Sequence, residues 1–284
     1  MQIETTRVET SDGWMDLRRV GQGKTMLFVH GLMVNGHLWD PLVSGLSDRF
    51  HLVLPDIPLG GHRTPLGPDA DCSLEAHAGR VIELARQLPG PIVLVGNDTG
   101  GAISQIAVAR APELFEQLVL LPSDAFDNCP PKLLVPMRPL VGLPGVIQVL
   151  GRLLRLGPVK RMFMMLVARS KVPAEHITEM LGDLPNNRGV QRDFVKLMDG
   201  LRPHVTKAVA EELHRFKGRV LVVWSRKDPL FPFDHGQKLA ACFEQGSVAI
   251  AEHSRAFVSL DEPDWLVERI VEFVDGGATS PDAT

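Results

Sequence analysis

The chain has 284 residues, 44% hydrophobic and 23% charged, with 30 Lys and Arg against 34 Asp and Glu and a formal net charge of -4. Together with a mean hydropathy of +0.04, this excludes a disordered or fibrous chain, and the length excludes a long multidomain array. No general basic field exists to hold a phosphate backbone, so nucleic acid is not an expected partner.

At the start, Met1-Gln2-Ile3-Glu4 has no basic n-region or apolar h-region, and the longest uncharged apolar stretch, Pro139 to Gly151, is too short to span a bilayer. Cys72, Cys129 and Cys242 are odd in number and widely spaced, and no His/Cys cluster has the short spacing of a zinc site. The expectation is a reduced, cytoplasmic protein with no disulfide framework and no metal.

Ile3 to Thr10 and Trp14 to Val20 flank the turn residues Ser11-Asp12-Gly13 and predict an antiparallel hairpin. Three short apolar runs follow, at Met26 to Val29, His51 to Leu54 and Ile92 to Val95, separated by helix-length segments. Continuous apolar runs predict parallel strands buried on both faces. Helices are predicted over Leu74 to Leu88 and Ala102 to Ala111, the second stopped by Pro112, and a further strand over Gln117 to Leu121.

From about Phe126 to Arg215 the strand signal is replaced by Pro-punctuated helical pieces such as Gly145 to Leu156 and Arg161 to Lys171. The α/β pattern resumes with the strand Val220 to Trp224, a helix from His235 to Cys242, a strand from Ser247 to Ala251 and a last helix from Pro263 to Val274. The predicted organisation is a core of residues 1–125 and 216–275, a helical cap of residues 126–215, and a small-residue tail, 276–284, expected to be disordered. Within the cap, Pro131 to Lys171 carries eight Lys and Arg and no Asp or Glu. Basic residues snorkelling from an apolar packing face account for this, and so does a lid with a cationic rim that meets an amphipathic substrate or a membrane surface.

Gly96-Asn97-Asp98-Thr99-Gly100-Gly101 lies between a predicted strand and a predicted helix, with glycines two before and two after Asp98. That is the spacing of a nucleophile elbow, in which the central side chain is held exposed on a strained turn. A carboxylate there can attack an electrophilic carbon and form an ester that water must cleave; helix capping by Asp98 is the plainer alternative. Phe28-Val29-His30-Gly31-Leu32 reads as an oxyanion loop, with the backbone N–H groups of Leu32 and Thr99 converging on the developing charge and His30 in a structural role. Gly96, Gly100 and Gly101 do not make a dinucleotide fingerprint, so no cofactor is expected.

Hairpin, His-Gly loop, elbow, inserted lobe and a late Asp loop together resemble the α/β-hydrolase superfamily along residues 1 to about 275. The Asp at the elbow resembles its haloalkane dehalogenase and epoxide hydrolase branch. The resemblance implies an α/β-hydrolase fold, a small-molecule substrate and a triad acid after a late strand, where Asp228 stands, with Asp124 in reserve. It also implies a histidine shortly before the last helix, but counting back from Pro263 puts Ala256 at that place. His253, three residues earlier, serves only if the loop bends differently. His62, after the strand ending near Asp56, is the other histidine within reach of the site mouth, with a structural or gating role expected.

Three explanations stay open: a substitute histidine, a His-to-Ala change at position 256, or chemistry other than hydrolysis. The last takes two forms, lyase, isomerase or cyclase chemistry with Asp98 as acid or base, and a silent binding module. The branch's activating groups are absent too. Dehalogenases of this type place Trp after the nucleophile, where this chain has Thr99, and the epoxide hydrolases use lid tyrosines, whereas this chain has 0 Tyr beside 12 Phe and 4 Trp. Haloalkane dehalogenation and ordinary epoxide hydrolysis are both disfavoured, and the oligomeric state is not legible.

Overall fold

The computed structural model describes residues 3–276. Strands β1 (Glu4–Thr10) and β2 (Gly13–Val20) form the hairpin, turning at Gly13 with φ of 135°, a conformation that glycine adopts freely. β3 (Lys24–Val29), β4 (Phe50–Pro55), β5 (Ile92–Asp98), β6 (Phe115–Ser123), β7 (Arg219–Ser225) and β8 (Gly246–Ala251) complete one eight-stranded sheet. Its order is β1-β2-β4-β3-β5-β6-β7-β8. The pairings of β2 with β1 and β4 are antiparallel, and every pairing from β4 to β8 is parallel. All seven residues of β5 are buried, which is why its sequence is a continuous apolar run rather than an alternating one.

Helices α1 (Asp40–Leu46), α2 (Leu74–Ala85) and α3 (Thr99–Arg110) connect the first strands. Between β6 and β7 the described chain forms no named strand and runs through α4 (Arg138–Val141), α5 (Val146–Leu153), α6 (Gly157–Val167), α7 (Ala174–Leu181), α8 (Arg188–Gly200) and α9 (Pro203–Glu212). α10 (Phe233–Ala240), α11 (Val258–Asp261) and α12 (Pro263–Val274) follow. This helical insertion is joined to the rest by polar bonds. Phe257 N donates to Val167 O at 2.9 Å and Asn35 Nδ2 to Glu179 O at 2.8 Å, while within the insertion Thr206 Oγ1 donates to Phe126 O at 2.6 Å.

Several element limits differ from the sequence expectation. α3 starts at Thr99 rather than Ala102, because Asp98 acts as its N-cap and the buried glycines at 100 and 101 enter the helix. α6 covers Gly157–Val167 rather than Arg161 to Lys171, since Pro158 sits in the first turn, where a missing N–H costs nothing, and Ala168 is extended. α5 ends at Leu153 instead of Leu156, and α10 occupies Phe233–Ala240 instead of His235 to Cys242. The expected tail, apart from Gly276, lies outside the described residues.

Candidate active site

The sheet brings β3 beside β5, pairing Val29 with Gly96, so that the turn after β3 lies next to the turn after β5. Asp98 ends β5 with φ of 58° and ψ of -131°, a left-handed conformation rare for a residue with a Cβ. The glycines around it are demanded by contact. A Cβ on Gly31 would lie 2.6 Å from Asp98 Cβ, and one on Gly96 would lie 2.9 Å from Gly101 Cα.

Leu32 N donates to Asp98 Oδ1 at 3.1 Å and Thr99 N to the same oxygen at 2.5 Å. The two N–H groups read as an oxyanion pair therefore converge, with the Asp98 carboxylate itself between them. Helix capping and the elbow are here one arrangement, since the bond from Thr99 N is also the N-cap bond of α3.

Two further carboxyls belong to the same neighbourhood. Asp124 follows β6, its N–H donating to Asp98 O at 3.3 Å, and its Oδ2 accepts the Thr99 hydroxyl at 2.9 Å. Asp228 follows β7, with Oδ1 accepting from Leu230 N at 2.7 Å and Phe231 N at 3.3 Å. That is the Asx turn expected of an Asp-Pro segment. It uses one oxygen only: Asp228 Oδ2 is out of contact with water and has no hydrogen-bond partner, as is Asp124 Oδ1.

Burial raises all three pKa values. For Asp98 burial outweighs the bonds from Leu32 and Thr99. Asp124 is pushed well above the usual carboxylate range by burial and then by the charge of Asp98. Asp228 rises to about 7, through burial against the bonds from Leu230 and Phe231, with Asp98 adding to the rise and Arg255 opposing it.

Ala256 is fully buried, and its carbonyl accepts a hydrogen bond of 2.9 Å from Asn97 Nδ2, next in sequence to Asp98. The loop that presents residue 256 is thus tied to the elbow, but the side chain there offers no base. His253 is exposed, and its backbone N–H binds Glu262 Oε2 at 3.0 Å; the loop does not turn it inward toward Asp228. His62 is buried against Asp193 at 3.3 Å, in the seam with α8. His30 is buried too, donating from Nδ1 to Gly31 O at 2.9 Å, and burial lowers its pKa to about 4, so it stays neutral. Asp124 and Asp228 are the alternative places expected for the acid; what the sequence does not disclose is that each leaves one buried oxygen without a hydrogen-bond partner.

A sheet with one antiparallel edge, a strained strand-to-helix turn and two convergent N–H groups define an α/β-hydrolase-type enzyme. The alpha/beta hydrolase family profile matches residues 26–269, and the chain belongs to that family. It is 26% identical over 228 residues to a pimeloyl-[acyl-carrier protein] methyl ester esterase of Shewanella woodyi, covering 77% of this chain and 81% of that one. It is 32% identical over 116 residues to a 2-(acetamidomethylene)succinate hydrolase of Mesorhizobium japonicum, covering 40% of this chain and 41% of that one. Among solved structures, an epoxide hydrolase superposes with a TM-score of 0.79 at 17% identity, covering 97% of this chain and 99% of that one. A serine hydrolase of Cycloclasticus zankles does so with 0.79 at 17%, covering 98% and 100%. At these identities the two structures establish the shared fold.

Proposed function

We propose that the protein hydrolyses neutral, mostly apolar small molecules through an ester formed on Asp98, with the helical insertion as its cap. The observation that carries this is the pair of N–H bonds on Asp98 Oδ1, which orients the carboxylate and leaves Oδ2 to attack. Oδ2 bonds to the electrophilic carbon as the bond to the leaving group breaks, the electron pair departing with that group. Oδ1 becomes the ester carbonyl oxygen, still polarised by Leu32 N and Thr99 N. Water then adds to Asp98 Cγ, giving its proton to Asp228 Oδ2. The ester bond breaks, the departing alkoxide takes that proton, and the water's second proton, left on the re-formed Asp98 carboxyl, passes to solvent as the carboxylate is restored.

Asp228 is assigned as base because position 256 supplies none and His253 is exposed, while a carboxyl with a pKa of about 7 and a free oxygen is matched to proton transfer near neutrality. The acidic surroundings favour a neutral substrate over an anion. Trp224 offers no indole N–H to a halide, since its Nε1 donates to Pro232 O at 2.9 Å. Three free cysteines are in keeping with a reducing, cytoplasmic setting.

The test is a single turnover in H2¹⁸O with a panel of activated esters, epoxides and alkyl halides, followed by mass analysis of the peptide containing Asp98. Label in Asp98, with accumulation of the adduct in Asp228→Asn and none in Asp98→Asn, is the expected result; turnover by Asp98→Asn refutes it. A second reading, acid–base chemistry without water, is favoured by the burial of Asp124, which raises its pKa and leaves Oδ1 without a partner, and product free of label with an unlabelled Asp98 would select it.

A further inference from the structure

Two His-x-x-acid pairs meet across the junction of core and insertion. His37 and Asp40 stand on a 3-10 turn (Gly36–Trp39) and the first residue of α1, while His176 and Glu179 stand on α7. An i,i+3 spacing puts both members of each pair on one face. His37 Nδ1 lies 2.8 Å from Asp40 Oδ2 and 4.0 Å from Glu179 Oε2; His176 Nδ1 lies 3.9 Å from Asp40 Oδ2 and 3.8 Å from Glu179 Oε2. Tetrahedral bonds of about 2.0–2.1 Å separate their donors by about 3.3 Å; the ligand atoms of His37, Asp40 and Glu179 all lie within 4.8 Å of one another, and His176 must swing further to join them as the fourth ligand.

The setting is also that of a prepared site. Arg18 Nη2 holds the other oxygen of Asp40 at 2.7 Å, as outer groups orient ligating carboxylates. Asn35 Nδ2 and Arg63 Nη2 hold the Glu179 carbonyl, at 2.8 and 3.4 Å, which fixes the end of α7. We infer that His37, Asp40, His176 and Glu179 form a site for a borderline divalent transition-metal cation that clips the helical insertion to the core. Two imidazoles and two carboxylates suit Zn2+, whereas Mg2+ and Ca2+ take all-oxygen sets.

Metal-stripped protein should bind one Zn2+ per chain in calorimetric titration, with Mg2+ unable to compete. His176→Gln and Glu179→Gln, both on the side of α7 that meets His37 and Asp40, should each weaken binding about tenfold or more. Zn2+ should raise Tm and slow hydrogen exchange over residues 174–181 in the parent and not in either variant. Absence of one-to-one binding, or binding of unchanged strength in both variants, overturns the inference. The outcome does not depend on the chemistry at Asp98.

Residues 131–171 carry an independent inference. Ten of the twelve large hydrophobic side chains exposed among the described residues lie between Leu133 and Met165, Met162 and Met165 being 68% and 67% exposed. The same segment has eight basic residues and no acidic one, on a chain of net charge -4. Its first helical stretches, Lys132–Val141 and Val146–Leu153, are bent by 118° to one another, and no single helix among the described residues is long and apolar enough to cross a membrane. Beside them, Arg161, Arg169 and Lys171 line an open groove of about 610 Å³. Apolar side chains interleaved with cations match the acyl boundary and headgroups of an anionic bilayer, and we propose that this face rests on such a surface.

The protein should float with phosphatidylcholine vesicles containing phosphatidylglycerol, weakly with phosphatidylcholine alone, and lose binding at high salt. Arg152→Glu with Lys160→Glu, or Met162→Asp alone, should weaken association about tenfold. No flotation, or flotation indifferent to both variants, refutes the proposal. So does self-association that covers this face in solution without vesicle binding.

Discussion

Asp228→Asn separates the cost of the site from its use. The carboxyl titrates near pH 7 in the folded chain and near 3.8 when unfolded, so between those values the folded state binds more protons. Stability from this group is therefore fully present below about pH 4 and lost as pH rises through about 7. A gap of about three pKa units corresponds to about 4 kcal/mol, of which about 3 kcal/mol is lost between pH 5 and 8. Asp228 is partly exposed as a residue, and solvent screening cuts the figure to about 1–2 kcal/mol. Asn keeps an acceptor for Leu230 N and Phe231 N but cannot ionise. Urea unfolding at pH 5, 6, 7 and 8 should show the variant gaining on the parent by that amount, while its Asp98 ester accumulates. A difference that is flat with pH would refute both the raised pKa and its assignment as the base.

Gly31→Ala should drive the Asp98 side chain from its seat, since the new Cβ would stand 2.6 Å from Asp98 Cβ and 2.9 Å from Asp98 Cγ; kcat/KM should fall by about a hundredfold or more, with stability down by about 1–3 kcal/mol. His62→Ala should cost about 2–3 kcal/mol in chemical denaturation, because it strips one partner from buried Asp193 while Arg192 and Leu66 N remain. His253→Ala should leave steady-state rates unchanged and Tm within about 1 °C, an exposed side chain having little to lose; an arrest at the ester would restore it to the mechanism.

The elbow was legible because its constraints are local. Gly96, Asp98 and Gly100 are dictated by close approach and by one left-handed residue, and the apolar runs of β5 and β7 declare a sheet covered on both faces. Counting back from Pro263 puts Ala256 on the loop before the last helix, and the structure ties that loop to the elbow through Asn97 Nδ2. Non-local partners were not readable. That Asp228 spends one oxygen on its own turn and leaves the other without a partner depends on how the loops after β5, β7 and β8 pack. The meeting of His37 and Asp40 with His176 and Glu179 depends on how α7 docks. The expectation for α6, Arg161 to Lys171, failed because Pro158 sits in the first turn and the chain is extended from Ala168.

The loop of residue 256 is gripped from two sides, by Asn97 Nδ2 on the Ala256 carbonyl and by Val167 O on the Phe257 amide. The first anchor is part of the rigid sheet end, and the second belongs to α6. A displacement of α6 away from the core must either break the second bond or drag the loop, so with the insertion as the cap proposed above, access to the site and its interior shape would be a single mechanical variable. Ligands that wedge the insertion open would then act on Asp98 without touching it, and stiffening the α6 contact would slow admission and sharpen selectivity together.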